Sequence, residues 1–157
     1  AQAALPSLIK AVKAVGDVAQ LGLRYEAIRA IGRTSADNEE ARAFLAELLD
    51  GQDGTARIIA ACELSRSSTD PSRIVPVIME GLSLLDDDTM RARAADALGR
   101  IGPDVLDVQN DVVAHLLKLV GAHEESLRIS AARALVNIDP KSTARLPLEL
   151  LERIGGS

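Results

Sequence analysis

Apolar residues recur at helical spacing along almost the whole chain, and one phrase of that pattern repeats. Met90-Arg91-Ala92-Arg93-Ala94-Ala95-Asp96-Ala97-Leu98-Gly99-Arg100-Ile101 reads as one short helix, and the stretch Leu127 to Ile138 restates it 37 positions later. The phrase also occurs from Ala56 to Ser65, 34 positions upstream, and from Leu23 to Gly32, a further 33 upstream. Four copies at near-constant spacing predict an array of similar helical units rather than one globular core.

A second apolar-periodic segment precedes each copy. These predicted first helices run over Leu5 to Val12, about Asn38 to Leu49, Pro71 to Leu85, and about Gln109 to Val120. Their apolar faces are Ala41, Phe44, Leu45, Leu48 and Leu49 in the second, and Ile74, Val77, Ile78, Leu82 and Leu85 in the third. In the fourth the face is Val112, Val113, Leu116, Leu117 and Val120. A last segment, Thr143 to Ile154, has no repeated phrase after it. The turns into the second helices are Gly16 to Gln20, Asp50 to Gly54, Asp86 to Thr89 and Gly121 to Glu125. There Gly permits the helix stop, and Asp, Thr or Ser can cap the next helix. The returning connections, Arg33 to Asp37, Ser67 to Pro71, Gly102 to Val108 and Asp139 to Ser142, are rich in Ser, Pro, Gly and Asp. No segment alternates with the period-2 pattern of a strand.

A period of 33 to 37 residues suits tetratricopeptide and ankyrin arrays by length, but their aromatic and Thr-Pro-Leu-His signatures are missing. An Asp-rich turn followed by Arg91, Ala94-Ala95, Leu98 and Ile101 instead resembles short HEAT repeats of the phycobilisome-lyase HEAT-like kind. Pro6, Pro76 and Pro147 fit the proline inside or near the start of that family's first helix. Repeat 1 departs from the pattern, with Gln20 where later turns carry acids. The resemblance covers almost the whole chain. It implies an all-α, right-handed α-solenoid of about four and a half stacked helical hairpins, forming a single domain over 1–157. Its repeats would be approximately 3–33, 37–67, 71–102 and 109–139, with a terminal helix at 143–154. Each hairpin cannot bury its apolar face alone, so neighbours supply most of the stability. Positions such as Leu127, Ala131, Leu135 and Ile138 face that core, and Leu98→Ala should cost about 2–5 kcal/mol. Leu5, Leu8 and Ile9 at one end, and Leu148, Leu151 and Ile154 at the other, belong to no polar cap. Such open ends suit either a slice of a longer solenoid or self-association through an end.

Composition narrows the chemistry. Aromatics are 1% of the chain, Tyr25 and Phe44, so the core is built of Ala, Leu, Ile and Val, and stacking platforms for bases are lacking. A formal charge of −5 argues against general nucleic-acid binding. The single cysteine, Cys62, can form no intrachain disulfide. No apolar run approaches the ~18 residues of a membrane span, and the first residues lack the charged and apolar regions of a leader. These features favour a cytoplasmic location. The missing initial Met and the Gly155-Gly156-Ser157 end suggest a trimmed or mature fragment.

Two sets of arginines stand out. Arg24, Arg57, Arg91 and Arg128 share one repeat position. In HEAT-like families this position forms a structural ladder, bonding turn carboxylates such as Asp53, Asp87, Asp88 or Glu124 and helix-terminal groups; ligand contact is the other reading. The second set lies opposite the core stripe of each second helix: Glu26, Arg29 and Arg33; Ile59, Cys62 and Arg66; Arg93, Asp96 and Arg100; Ser130, Arg133 and Asn137. In a HEAT-like solenoid these helices line the concave surface. The twelve positions hold six arginines against one glutamate and one aspartate, a net of +4, which leaves −9 for the remainder. Such a basic inner strip would attract an acidic peptide, a carboxylate-rich protein surface or phosphates; the plainer reading is a solvated helix face.

Other motifs point to structure. Asp86-Asp87-Asp88 lacks the glycine and distal glutamate of a calcium loop and fits helix capping and arginine pairing. His115 and His123 have no ligands at metal spacing. Cys62 has no histidine to activate it and reads as a small filler. Gly99 and Gly102 follow no strand, so they are helix-end glycines rather than a phosphate loop. No serine sits in a nucleophile elbow. The sequence therefore points to no catalytic group, cofactor or metal, and to a non-enzymatic scaffold whose partner is a protein or peptide. Two alternatives remain. One is nucleic-acid or phosphate binding through the arginines, as in some HEAT-like proteins; it is disfavoured by the acidic charge and the lack of Trp. The other is an accessory subunit of a lyase-type enzyme, which only the family name suggests.

Overall fold

The structure is a computed structural model that describes residues 4–14, 20–67, 69–84 and 86–155. Within those residues it is all-helical, with ten α-helices and no strand. The chain divides into two compact units, Ala1–Thr69 and Asp70–Ser157, at the Ser67 to Pro71 connection.

The first unit holds α1 (Leu5–Lys13), α2 (Leu21–Thr34), α3 (Glu39–Leu49) and α4 (Gly54–Leu64). Helix α1 packs on α2, α3 packs on α4, and α2 lies beside α4. Local chemistry sets the starts. Asn38 accepts a bond from Ala41 N–H at 3.0 Å, and Asp53 accepts one from Ala56 N–H at 3.0 Å. These caps satisfy amides that have no partner inside the helix. Arg42, one turn into α3, donates from Nη1 to the Ser35 and Ala36 carbonyls at 2.8 and 2.9 Å. It thereby ties the end of α2 to the start of α3. The core is Ile28, Ile31, Phe44, Leu45, Leu49, Ile58 and Leu64, all buried. The turn read at Gly16 to Ala19 lies outside the described residues, and Gln20 stands at the N-cap of α2 without a side-chain cap bond.

The second unit holds α5 (Pro71–Leu82), α6 (Asp88–Ile101), α7 (Val105–Val108), α8 (Val112–Leu119), α9 (Glu125–Ile138) and α10 (Leu148–Gly155). Helix α5 packs on α6, α8 on α9, α6 beside α9, and α10 against α9. Asp70, Asp87 and Glu124 cap α5, α6 and α9 by accepting from the amides of Ser72, Met90 and Ser126. Gly102 ends α6 with φ at 78°, the left-handed region where only glycine is unstrained. Leu98, Leu127, Ala131 and Leu135 are completely buried, and Ile138 nearly so.

Several boundaries differ from the sequence expectation. Helix α5 stops at Leu82 with Ser83 as C-cap, and Leu85 lies outside the described residues. Gly102 to Val108 is not a plain connection: a 3-10 turn (Gly102–Asp104) leads into α7, which packs on α5 and buries Val105. That short helix takes up the chain before α8, so α8 begins at Val112 rather than near Gln109. Its buried face is Val112, Leu116, Leu119 and Val120, and the expected Val113 and Leu117 are only half-buried. The terminal segment is not one helix from Thr143. Residues Pro140–Arg145 form a 3-10 helix, and Pro147, with no N–H to donate, separates it from α10. In that segment Leu146 and Leu150 are buried while Leu148 is 71% exposed.

Candidate functional site

The ladder arginines sit at the turns and bond to what the preceding helix leaves unsatisfied. Arg57 Nε donates to the Leu49 carbonyl at 2.9 Å, and Arg91 Nε reaches the Leu82 carbonyl at 3.4 Å. Arg128 Nη1 donates to the Ala122 and His123 carbonyls at 3.0 and 2.8 Å. Each guanidinium thus covers carbonyls at or just beyond the end of a first helix, where the helix dipole also favours positive charge. Arg24 does something different. Its Nη1 pairs with Asp53 Oδ2 at 3.0 Å, and the Tyr25 hydroxyl lies 3.3 Å from the same carboxylate. Asp53 therefore caps α4 and anchors α2 at once. In the acidic turn, Asp87 caps α6 and Asp88 pairs with Arg91 at 3.0 Å, while Glu124 bonds Ser126 rather than Arg128. His115 Nε2 stands 3.2 Å from Asp111 Oδ2. The Gln109 side-chain amide holds the Asp111 carboxyl below its ordinary range; burial works against this, and His115 adds to the lowering.

One register relates neighbouring second helices inside each unit. Counting from the ladder arginine, position +8 of one helix meets position +6 of the next. In the second unit the pair is Gly99 of α6 and Ala134 of α9; in the first it is Gly32 of α2 and Glu63 of α4. The same register recurs in both units, but the matching positions +2, +5 and +9 of paired second helices differ in burial.

That burial decides which candidate strip residues reach solvent. In the second unit Arg93, Arg100, Arg133 and Asn137 are exposed and Asp96 is half-buried. Arg93 and Arg133 form no ion pair among the described residues. Ser130, the remaining position, is buried. The first unit is different. Ile59 and Cys62 are 2% and 4% exposed, so neither is available to a partner, because α4 is buried from Ile58 to Leu64 without a break. Arg29 pairs with Glu26 at 2.6 Å, and Arg66 pairs with Glu63 at 2.8 Å. Arg33 is exposed.

Glu63 carries a signal that the motif reading passed over. Three repeats have alanine at +6, namely Ala30, Ala97 and Ala134, and this repeat has a carboxylate. Its side chain is buried against Gly32, with only Arg66 as ion-pair partner among the described residues. Registering the four phrases on their arginines would have exposed it.

No family model and no curated protein matches the chain. Among solved structures it is similar to an engineered protein crystallised by the Northeast Structural Genomics Consortium. The TM-score is 0.57 and the identity 22%, over 97% of this chain and 67% of that one. At that identity the likeness concerns the fold alone. No helix among the described residues is long and apolar enough to cross a membrane.

Proposed function

We propose that this chain is a non-enzymatic interaction module, a solenoid of HEAT-like hairpins that binds an acidic protein segment on the exposed face of its second helices. The supporting observation is the pair of adjacent helices α6 and α9. They pack closely at Gly99 and Ala134, and their strip positions Arg93, Arg100 and Arg133 are exposed while Asp96 is half-buried, which supports reading them as one basic face. Arg93 and Arg133 have no internal ion-pair partner among the described residues, so their charge is directed to solvent and to whatever approaches. Such a strip accelerates encounter with an acidic partner and fixes its register. The first unit supports this less, since Arg29 and Arg66 already hold carboxylates.

The test is a fluorescence titration with a Glu- and Asp-rich peptide and its Gln/Asn counterpart. The parent should bind the acidic peptide only. The triple variant Arg93→Glu, Arg100→Glu, Arg133→Glu should lose that binding with its helical circular dichroism unchanged. Equal binding by parent and triple variant would overturn the proposal. So would tight binding of duplex DNA with a steep salt dependence in place of the peptide, since each phosphate contact releases counterions.

A further inference from the structure

The second unit has another cationic place, on the first-helix side of the layer and separate from the arginine strip. The end of α5 (Leu82, Ser83), the first turn of α6 (Arg91) and the second half of α8 (His115, Lys118, Leu119) line an open pocket of about 240 Å³. That is below the ~300–1,000 Å³ of pockets that hold drug-sized ligands, so its occupant is small. Leu82 and Leu119 line it only with the small apolar part of each that stays exposed, 4% and 6%.

The pairing of the charged groups narrows the ligand. Arg91 is held by Asp88 at 3.0 Å, and His115 by Asp111 at 3.2 Å. Lys118 has no ion-pair partner among the described residues. Asp88 offsets Arg91, which leaves Lys118 as the cation without an ion-pair partner among the described residues, and Asp111 adds a negative charge that disfavours a multiply charged anion. A phosphate dianion would face Asp88 and Asp111 with too little positive charge to balance it. A monoanion with a hydrocarbon tail satisfies both features. We infer that this pocket binds a small aliphatic carboxylate, its carboxylate on Lys118 beside Arg91 and its chain against Leu82 and Leu119. None of these residues belongs to the proposed partner strip.

The experiment is an amide-resolved NMR titration of the whole chain with hexanoate, inorganic phosphate and hexanol. Hexanoate should shift the amides of Ser83, Lys118 and Leu119 in a saturable way, and neither phosphate nor hexanol should match it. Lys118 is exposed, so Lys118→Gln should fold normally and bind hexanoate about tenfold more weakly, the loss of one charge-assisted bond. Lys141→Gln, outside the pocket, should leave affinity unchanged, as should the triple arginine variant. Any of three results would overturn the inference: no saturable shift at these residues, phosphate binding as well as hexanoate, or full affinity in Lys118→Gln.

Discussion

Gly99 and Ala134 mark the closest approach of α6 and α9: a Cβ placed on Gly99 would lie 3.1 Å from the Ala134 Cα and 3.4 Å from its Cβ. The Cα belongs to a helix packed in the core, so it cannot swing aside as a long side chain could. Gly99→Ala gains helix propensity of ~1 kcal/mol but must push two helices apart, and overpacking of this kind costs ~1–3 kcal/mol. The expected net result is a lower melting temperature. Gly22, in the first turn of α2, has nothing among the described residues within 4 Å of such a Cβ. Gly22→Ala should therefore raise stability, by about half a kcal/mol. Chemical denaturation of the two variants should give opposite signs. The same sign in both would remove the close approach as the reason for Gly99.

The equivalent contact in the first unit predicts a rescue. A Cβ on Gly32 would overlap the Glu63 Cγ and lie 2.5 Å from its Cβ. Those atoms are near the backbone and have little freedom to move away. Gly32→Ala should cost about 2–4 kcal/mol, through overpacking and displacement of a buried carboxylate from Arg66. Glu63→Ala restores the small residue found at this position in the other repeats. The double variant Gly32→Ala, Glu63→Ala should recover most of the loss, and a double-mutant cycle would measure the coupling. Additive losses would mean that the two residues do not compete for one space.

The helices were legible because apolar positions at 3.6-residue spacing, bounded by Asn38, Asp53, Asp70 and Asp87, leave little choice of local structure. The exposure of the strip positions was legible only where neighbouring repeats have similar surroundings. Matching positions by register assumes that every second helix exposes the same face. Helix α4 breaks that assumption, and its sequence carried the warning: Ile58 to Cys62 contains no charged residue, unlike the same stretch in α6. Helix α7 was hidden for a different reason. Four residues are too few to display a period, and Val105 and Val108 count as apolar residues in any loop. That Arg57, Arg91 and Arg128 bond helix-terminal groups was expected, but which carbonyls they cover is a matter of backbone geometry that side-chain spacing cannot reveal.

The arginine at the last turn should resist conservative exchange. Arg128 serves two carbonyls from one nitrogen. Lysine keeps the charge but lacks the planar fork. Arg128→Lys and Arg128→Ala should both destabilise, by about 1 kcal/mol, and lysine should restore only part of the alanine loss. Urea melts of the two variants decide this; full rescue by lysine would reduce the role to helix-dipole electrostatics alone.

Asp70 gives a pH prediction. The Ser72 backbone N–H, and then the Ser72 hydroxyl, hold its carboxyl below the ordinary value of 3.8. A carboxyl whose folded value is depressed stabilises the fold above its unfolded value, and this is lost as pH falls through the folded one. Melting temperatures taken from neutral pH to below pH 3.8 should therefore fall more steeply for the parent than for Asp70→Asn. Asparagine still caps but does not titrate. Identical acid slopes would show that the cap contributes nothing through its charge.

The terminal helix separates burial from hydrophobic pattern. Leu148, Leu151 and Ile154 form an apolar line on paper, yet Leu148 is 71% exposed while Leu150 is 4% exposed. Pro147 restarts the helix, and the rotation it sets turns Leu146 and Leu150 toward the core. Leu150→Ala should therefore cost about 2–4 kcal/mol, comparable with the fully buried Leu98→Ala, whereas Leu148→Ala should change stability by less than about 0.5 kcal/mol. The contrast is robust to the choice of denaturant, because both variants remove the same atoms from the same helix. If Leu148→Ala proves the costlier of the two, then Leu148 is covered in solution.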